Sequence, residues 1–248
     1  MSRKGKNGHK FQGIVGESAG SLVDEIMQQG QTQGLNNVFT TFLEITAVCF
    51  RAATDVEDAD KWENRYQEII KGMKAETLSA YAKMMTLLYL AVSENMEAPC
   101  DILGTIYHEL NLNNEWNGQF FTPDNVCRMM ASMINPVDED IAEKEGFVSI
   151  NEPTCGSGTM VIGAVWAMQK SHFDYQNKSI FVAQDIDIRC VWMTYIQMFL
   201  YRIPAIIIHG NTLTLEEWSR WVTPYVVLPL SRRDSILKMK DTGGKTNG

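Results

Sequence analysis

The stretch GFVSINEPTCGSGTMVIGAVWAMQK, Gly146 to Lys170, decides how the chain is read. GFVSINE reads as a strand and TMVIGAVWAMQK as a helix. Between them, EPTCGSG makes a turn with two glycines and a carboxylate at its entrance. Gly156 and Gly158 carry no Cβ, so the backbone can lie close to a ligand. Taken alone, the turn is a tight strand-to-helix connection and nothing more. Its neighbours give it weight.

The alternation continues downstream. SIFVAQD is a strand, IRCVWMTYIQMFLYR a helix and AIIIHG a strand. The β-α-β-α-β order, with mostly apolar strands, predicts a parallel sheet covered on both faces and right-handed crossovers. Ligands of such sheets bind at the carboxyl ends of the strands. Three loops leave those ends here, EPTCGSG, AQDID and HGNTL. Asp185, closing the second strand, suits the two hydroxyls of a ribose, while Asp187 suits a helix N-cap. Asn211 offers a donor and an acceptor to an adenine edge, or serves as a turn residue. Val161 stands where a GxGxxG loop has its third glycine. Glu152 would repel a pyrophosphate but suits a cationic amino-acid tail. This favours S-adenosylmethionine over a dinucleotide.

Upstream the period is helical. LNNVFTTFLEITAVCF and TLSAYAKMMTLLYLAV carry apolar residues at helical spacing, with the more polar DADKWENRYQEIIKGM between them. CDILGTIYHEL is a short helix with Asp101 as N-cap, and DNVCRMMASMI another, opened by Thr122 and Pro123. The expected organisation is a flexible basic tail over 1–34, a helical region over 35–117, a Rossmann-like domain over 118–230 and a basic C-terminal tail over 231–248. The fold class is α/β, with about three or four parallel strands behind a helical lead-in.

Composition bounds the function. No apolar run is long enough to span a membrane, and no apolar segment follows the basic MSRKGKNGHK, so it is not a secretory signal. Five dispersed cysteines without a CxxC pair fit a reducing cytoplasm and give no metal site. A formal charge of −8 argues against DNA held over the whole surface, though not against a local basic groove or a basic partner.

GQFFTP, EPTCGSG, FVAQDID and HGNTL, in that order and spacing, resemble the motifs of N6-adenine DNA methyltransferases of the type I modification-subunit kind. The likeness covers roughly Asp101 to Leu213, and the whole chain looks most like short methylase-like proteins of phages and mobile elements. The resemblance implies S-adenosylmethionine as cofactor. Gln119, Phe121, Thr122 and Pro123 would fold over its methionine end. Glu152, Pro153, Cys155, Gly156, Ser157 and Gly158 would hold its amino-acid moiety. Asp185 would take the ribose, Ile186 would pack on the adenine, and Asn211 and Leu213 would lie beside it. Asn211 stands where the family commonly has Asp.

The family's catalytic signature is Asn or Asp, two prolines and an aromatic. It accepts hydrogens from adenine N6 and stacks on a base flipped out of the duplex. No such tetrapeptide occurs. The nearest candidate is Thr223, Pro224 and Tyr225 in VTPYVVLPL, where Thr is a poor substitute for a planar amide and the tripeptide reads more readily as a turn before a strand. Two functions follow from the resemblance. One is a DNA adenine-N6 methyltransferase, or its cofactor-binding subunit, acting on DNA alone or with a partner that supplies the missing parts. The other is a non-catalytic methylase-like protein that engages a DNA-modification complex, another protein partner or a second copy of itself.

Overall fold

The structure is a computed structural model, and it describes residues 16–112, 122, 124–134, 142–144 and 146–226. The helical part contains α1 (Glu17–Gln33), α2 (Leu35–Thr54), α3 (Ala59–Ile70), α4 (Ala75–Ser93) and α5 (Ile102–Glu109). In α2 the buried Val38, Phe39, Phe42, Leu43 and Ile45 make one apolar stripe. Asp101 caps α5 by accepting from the Gly104 amide at 2.8 Å.

The helix α1 corrects the expected tail over 1–34. Glycines and glutamines dominate its sequence and hide a stripe of Ala19, Leu22, Val23 and Ile26 at helical spacing. These four side chains are buried, and α1 packs on α2 and α4. Tertiary burial, not local propensity, makes this helix.

Then follow α6 (Asp124–Ile134), β1 (Val148–Glu152), α7 (Thr159–Lys170), α8 (Tyr175–Lys178), β2 (Ser179–Asp185), α9 (Ile188–Leu200), β3 (Ala205–Asn211) and β4 (Glu216–Val222). The sheet order is β1-β2-β3-β4. The first three strands are parallel, with Glu152 opposite Ala183 and Asp185 opposite His209. The fourth is antiparallel, returning along β3 with a register shift at His209/Gly210. The three parallel strands agree with the expected sheet, and β4 is an added antiparallel strand at its edge. EEWSRWV shows no clear apolar alternation because its first three residues are exposed at the sheet's edge and, of its side chains, only Trp221 is buried.

Val148, Phe181, Ala183, Ala205 and Ile207 join α7 and α9 in the main core. Ile180 and Ile206 lie on the opposite face, with Phe147, Ile208, Val222 and Val226 around them and no helical residue. Among the described residues the sheet therefore carries helices on one face, not on both as expected. The reason is topological: the order β1-β2-β3 never reverses, so crossovers of one hand keep both helices on one side. The same core runs without interruption into the helical part through α2, and the rings of Phe50 and Phe199 stack at 4.2 Å. None of the described helices is long and apolar enough to cross a membrane.

Candidate cofactor site

The carboxyl ends of β1, β2 and β3 lie side by side, and their loops are tied to one another. The Cys155 amide donates to the Gln184 carbonyl at 2.8 Å. The Gly156 amide donates to Asp185 Oδ2 at 2.9 Å. The Gly158 amide donates to the Cys155 carbonyl at 2.8 Å. From α9, Thr194 Oγ1 donates to the Gly156 carbonyl at 2.9 Å and Gln197 Nε2 to the Ser157 carbonyl at 2.8 Å. Gly156 has φ 56° and Gly158 has φ 93°, values that a Cβ would strain.

Asp185 has two duties. Its Oδ1 accepts the Asp187 amide at 2.9 Å while Oδ2 holds Gly156. An ionised carboxylate has about four acceptor positions, so these two bonds leave room for ribose hydroxyls. Burial pushes the Asp185 carboxyl above the usual carboxylate value, and the two amides oppose that shift. Asp187 caps α9, accepting from the Arg189 amide at 2.9 Å, and pairs with the Arg189 guanidinium at 2.6 Å.

The third loop closes the arrangement. Thr212 Oγ1 donates to the Pro153 carbonyl at 2.6 Å, which joins the β3–β4 turn to the glycine turn. Asn211 Oδ1 accepts the Leu213 amide at 2.9 Å, so this side chain builds the turn. Ile186 and Leu213 are both solvent-exposed apolar side chains at these strand ends. His209 Nε2 lies 3.2 Å from the Ile186 carbonyl, and its ring meets Trp218 edge-on. Glu152 turns Oε1 back to the Thr154 amide at 3.2 Å.

The remaining candidates differ in placement. Ser157 is fully buried, with its hydroxyl donated to Asp101. Burial pushes the Cys155 thiol far up, which favours the neutral thiol over the nucleophilic thiolate. Thr122 is exposed, and its carbonyl lies 3.8 Å from Cys127 Sγ. Gln119, Phe121 and Pro123 lie outside the described residues. Thr223, Pro224 and Tyr225 are not brought to the site. Thr223 Oγ1 accepts the Ala205 amide at 2.9 Å and donates to the Ile203 carbonyl at 2.8 Å, at the amino end of β3. The length of β3, roughly 20 Å at the usual strand rise, separates it from the three loops. That placement corrects the catalytic expectation for this tripeptide. No group of three or more metal-ligating side chains occurs among the described residues.

The supporting residues Asp101, Thr159, Thr194 and Gln197 escape a reading based on loops. Thr194 and Gln197 are both fully buried in the apolar IRCVWMTYIQMFL. Two polar residues one turn apart on an otherwise apolar helix are the signal that marks them.

The profile of the family "N-6 DNA methylase" matches residues 99–229, just over half of the chain. Among solved structures, a type I restriction-modification system methyltransferase subunit from Streptococcus thermophilus is 16% identical, with a TM-score of 0.43 over 82% of this chain and 59% of its own. A protein from Listeria monocytogenes, described as a class I S-adenosylmethionine-dependent methyltransferase, is 17% identical, with a TM-score of 0.41 over 80% of this chain and 55% of its own. The chain thus spans less than two thirds of either structure. No curated protein matches the sequence.

Proposed function

Since the chain belongs to the N-6 DNA methylase family, whose cofactor is S-adenosylmethionine, we propose that it binds this cofactor across the ends of β1, β2 and β3 and takes part in methylating adenine N6 in DNA. The observation that carries the reading is the Gly156–Asp185 bond, which sets a ribose-type carboxylate against a glycine turn. The donor set fits the group. Glu152 and Asp185 bring negative charge to a site meant for a cationic amino acid and a ribose, and no phosphate-type cradle is needed. Ile186 and Leu213 offer apolar contact to an adenine ring. The bound cofactor supplies an electrophilic methyl group on sulfur. The chain's own part is to hold the ribose at Asp185, orient the amino-acid end along residues 152–158 and keep the turn rigid.

A second reading, a methylase-like protein without chemistry, is favoured by the position of Thr223, whose hydroxyl is committed to the backbone of β3. In the enzymatic reading, the acceptor for the adenine amine comes from outside the described residues or from a partner subunit. Calorimetric titration with S-adenosylmethionine tests the shared premise. Saturable binding to the wild type, lost in Asp185→Ala, is the expected result, and methyl transfer to unmethylated DNA then separates the two readings. A folded wild-type protein that binds no cofactor would remove the proposed site.

A further inference from the structure

Beneath the glycine turn lies a buried polar hub that is centred on Asp101, outside the three loops, and reaches the first of them through Ser157. Asp101 is 5% exposed and accepts four hydrogen bonds. Its Oδ1 takes the Gly104 amide at 2.8 Å and Gln197 Nε2 at 2.9 Å. Its Oδ2 takes Ser157 Oγ and, at 2.5 Å, Thr159 Oγ1. Gln197 spreads the hub further, its Oε1 accepting the Ile102 amide at 2.8 Å and the Leu103 amide at 3.2 Å. One carboxylate thus joins the start of α5, the glycine turn, the first residue of α7 and the middle of α9.

The two oxygens do different work. Oδ1 faces α5 and α9, so it caps and anchors. Oδ2 accepts from Ser157 and Thr159, so it holds the turn. A helix cap needs the first pair alone. The second pair goes beyond any capping requirement and acts on the residues between which Gly158 adopts its left-handed conformation. We propose that Asp101 is a positioning residue for the cofactor site: through Ser157 and Thr159 it fixes the glycine turn in the shape that receives the amino-acid end of the cofactor. This rests on the cofactor reading above, but its mechanical half does not depend on it.

The chemistry supplies a selective variant. Every group facing Asp101 is presented as a donor, and a carboxylate only accepts. In Asp101→Asn the amide oxygen can keep the Gly104 and Gln197 bonds, because a backbone N–H only donates and Gln197 is held in its orientation by the Ile102 and Leu103 amides on Oε1. The amide nitrogen must then face Ser157 and Thr159, whose hydroxyls have to turn round to accept. The cap survives and the grip on the turn is inverted. Ser157→Ala removes the Ser157 half of that grip from the other side and leaves the Thr159 bond.

The test is hydrogen exchange of the full chain together with calorimetric titration of S-adenosylmethionine, on wild type, Asp101→Asn and Ser157→Ala. Exchange at the Gly156 and Gly158 amides is expected to quicken at least tenfold in both variants, while the Gly104 amide keeps its protection. Cofactor affinity is expected to drop by about tenfold, in line with the cost of misplacing a preorganised site. In the double variant the losses should not add fully, because both changes act on the Ser157–Asp101 bond. Unchanged exchange at Gly156 and Gly158 would overturn the proposal, as would a uniform rise that includes Gly104, which marks a merely structural role. A wild type that binds no cofactor counts against the proposed function, and the exchange data then decide the positioning role by themselves.

Discussion

Asp185 holds two backbone amides, and in the proposed function the same carboxylate takes the ribose. Its carboxyl titrates above the ordinary range because it is buried, so the native state takes up a proton at a higher pH than the unfolded chain. Between those two values the native state binds more protons. Stability from this group therefore falls as pH rises through the window and levels off above it. Cofactor affinity should run the other way, since ribose hydroxyls donate to the ionised form. Titrations from about pH 4 to about pH 7 should show affinity rising with pH from a point above the usual aspartate value near 4. Asp185→Asn should be weaker and flat, and a parallel slope in wild type and variant would assign the dependence to another group. Gly158 gives a second prediction at this scale. A Cβ there would stand 3.1 Å from Thr194 Oγ1 and force an L side chain to φ 93°. Gly158→Ala should cost about 1–3 kcal/mol in urea denaturation, the usual range for backbone strain at such a position.

At the scale of elements, β4 is a strand whose end does structural work at the far edge of the sheet. Thr223→Val keeps the shape and removes the hydroxyl, leaving the Ala205 amide and Ile203 carbonyl short of a partner. The expected loss is about 1–3 kcal/mol of stability. Cofactor affinity should stay within twofold, and a selective loss of binding or transfer at full stability would return Thr223 to the chemistry. The elements also show what a sequence displays and what it hides. The strands β1, β2 and β3 and the helices α7 and α9 were legible because their apolar residues are buried and follow the period of each element. The ends of β1 to β3 were legible for the same reason, since a parallel sheet puts its ligand loops there. The β4 strand was not, because its exposed glutamates and Trp218 leave no alternation to detect. The Asp101 cap was readable as a local motif. Its bonds to Ser157 and Thr159 bridge 56 and 58 residues, and no local pattern encodes such a pairing.

For the whole molecule, the sequence suggested a helical region over 35–117 and a separate Rossmann-like domain. The core does not respect that division. Phe42 and Leu88 from the helical part share one buried cluster with Phe181 and Ile207 from the sheet. The helices are thus part of what holds the cofactor strands in place, and the two halves should unfold together. Phe42 is fully buried in α2 and distant in sequence from every strand. Phe42→Ala should cost about 3–5 kcal/mol through lost transfer energy and the cavity left behind. The Phe181 amide, bonded to the Pro204 carbonyl at 2.9 Å, reports on the sheet. If unfolding is one transition, exchange of that amide should quicken by the factor that the global destabilisation predicts, about tenfold for each 1.4 kcal/mol lost. If the helical part opened by itself, the Phe181 amide would keep its wild-type exchange rate while amides in α2 lost theirs.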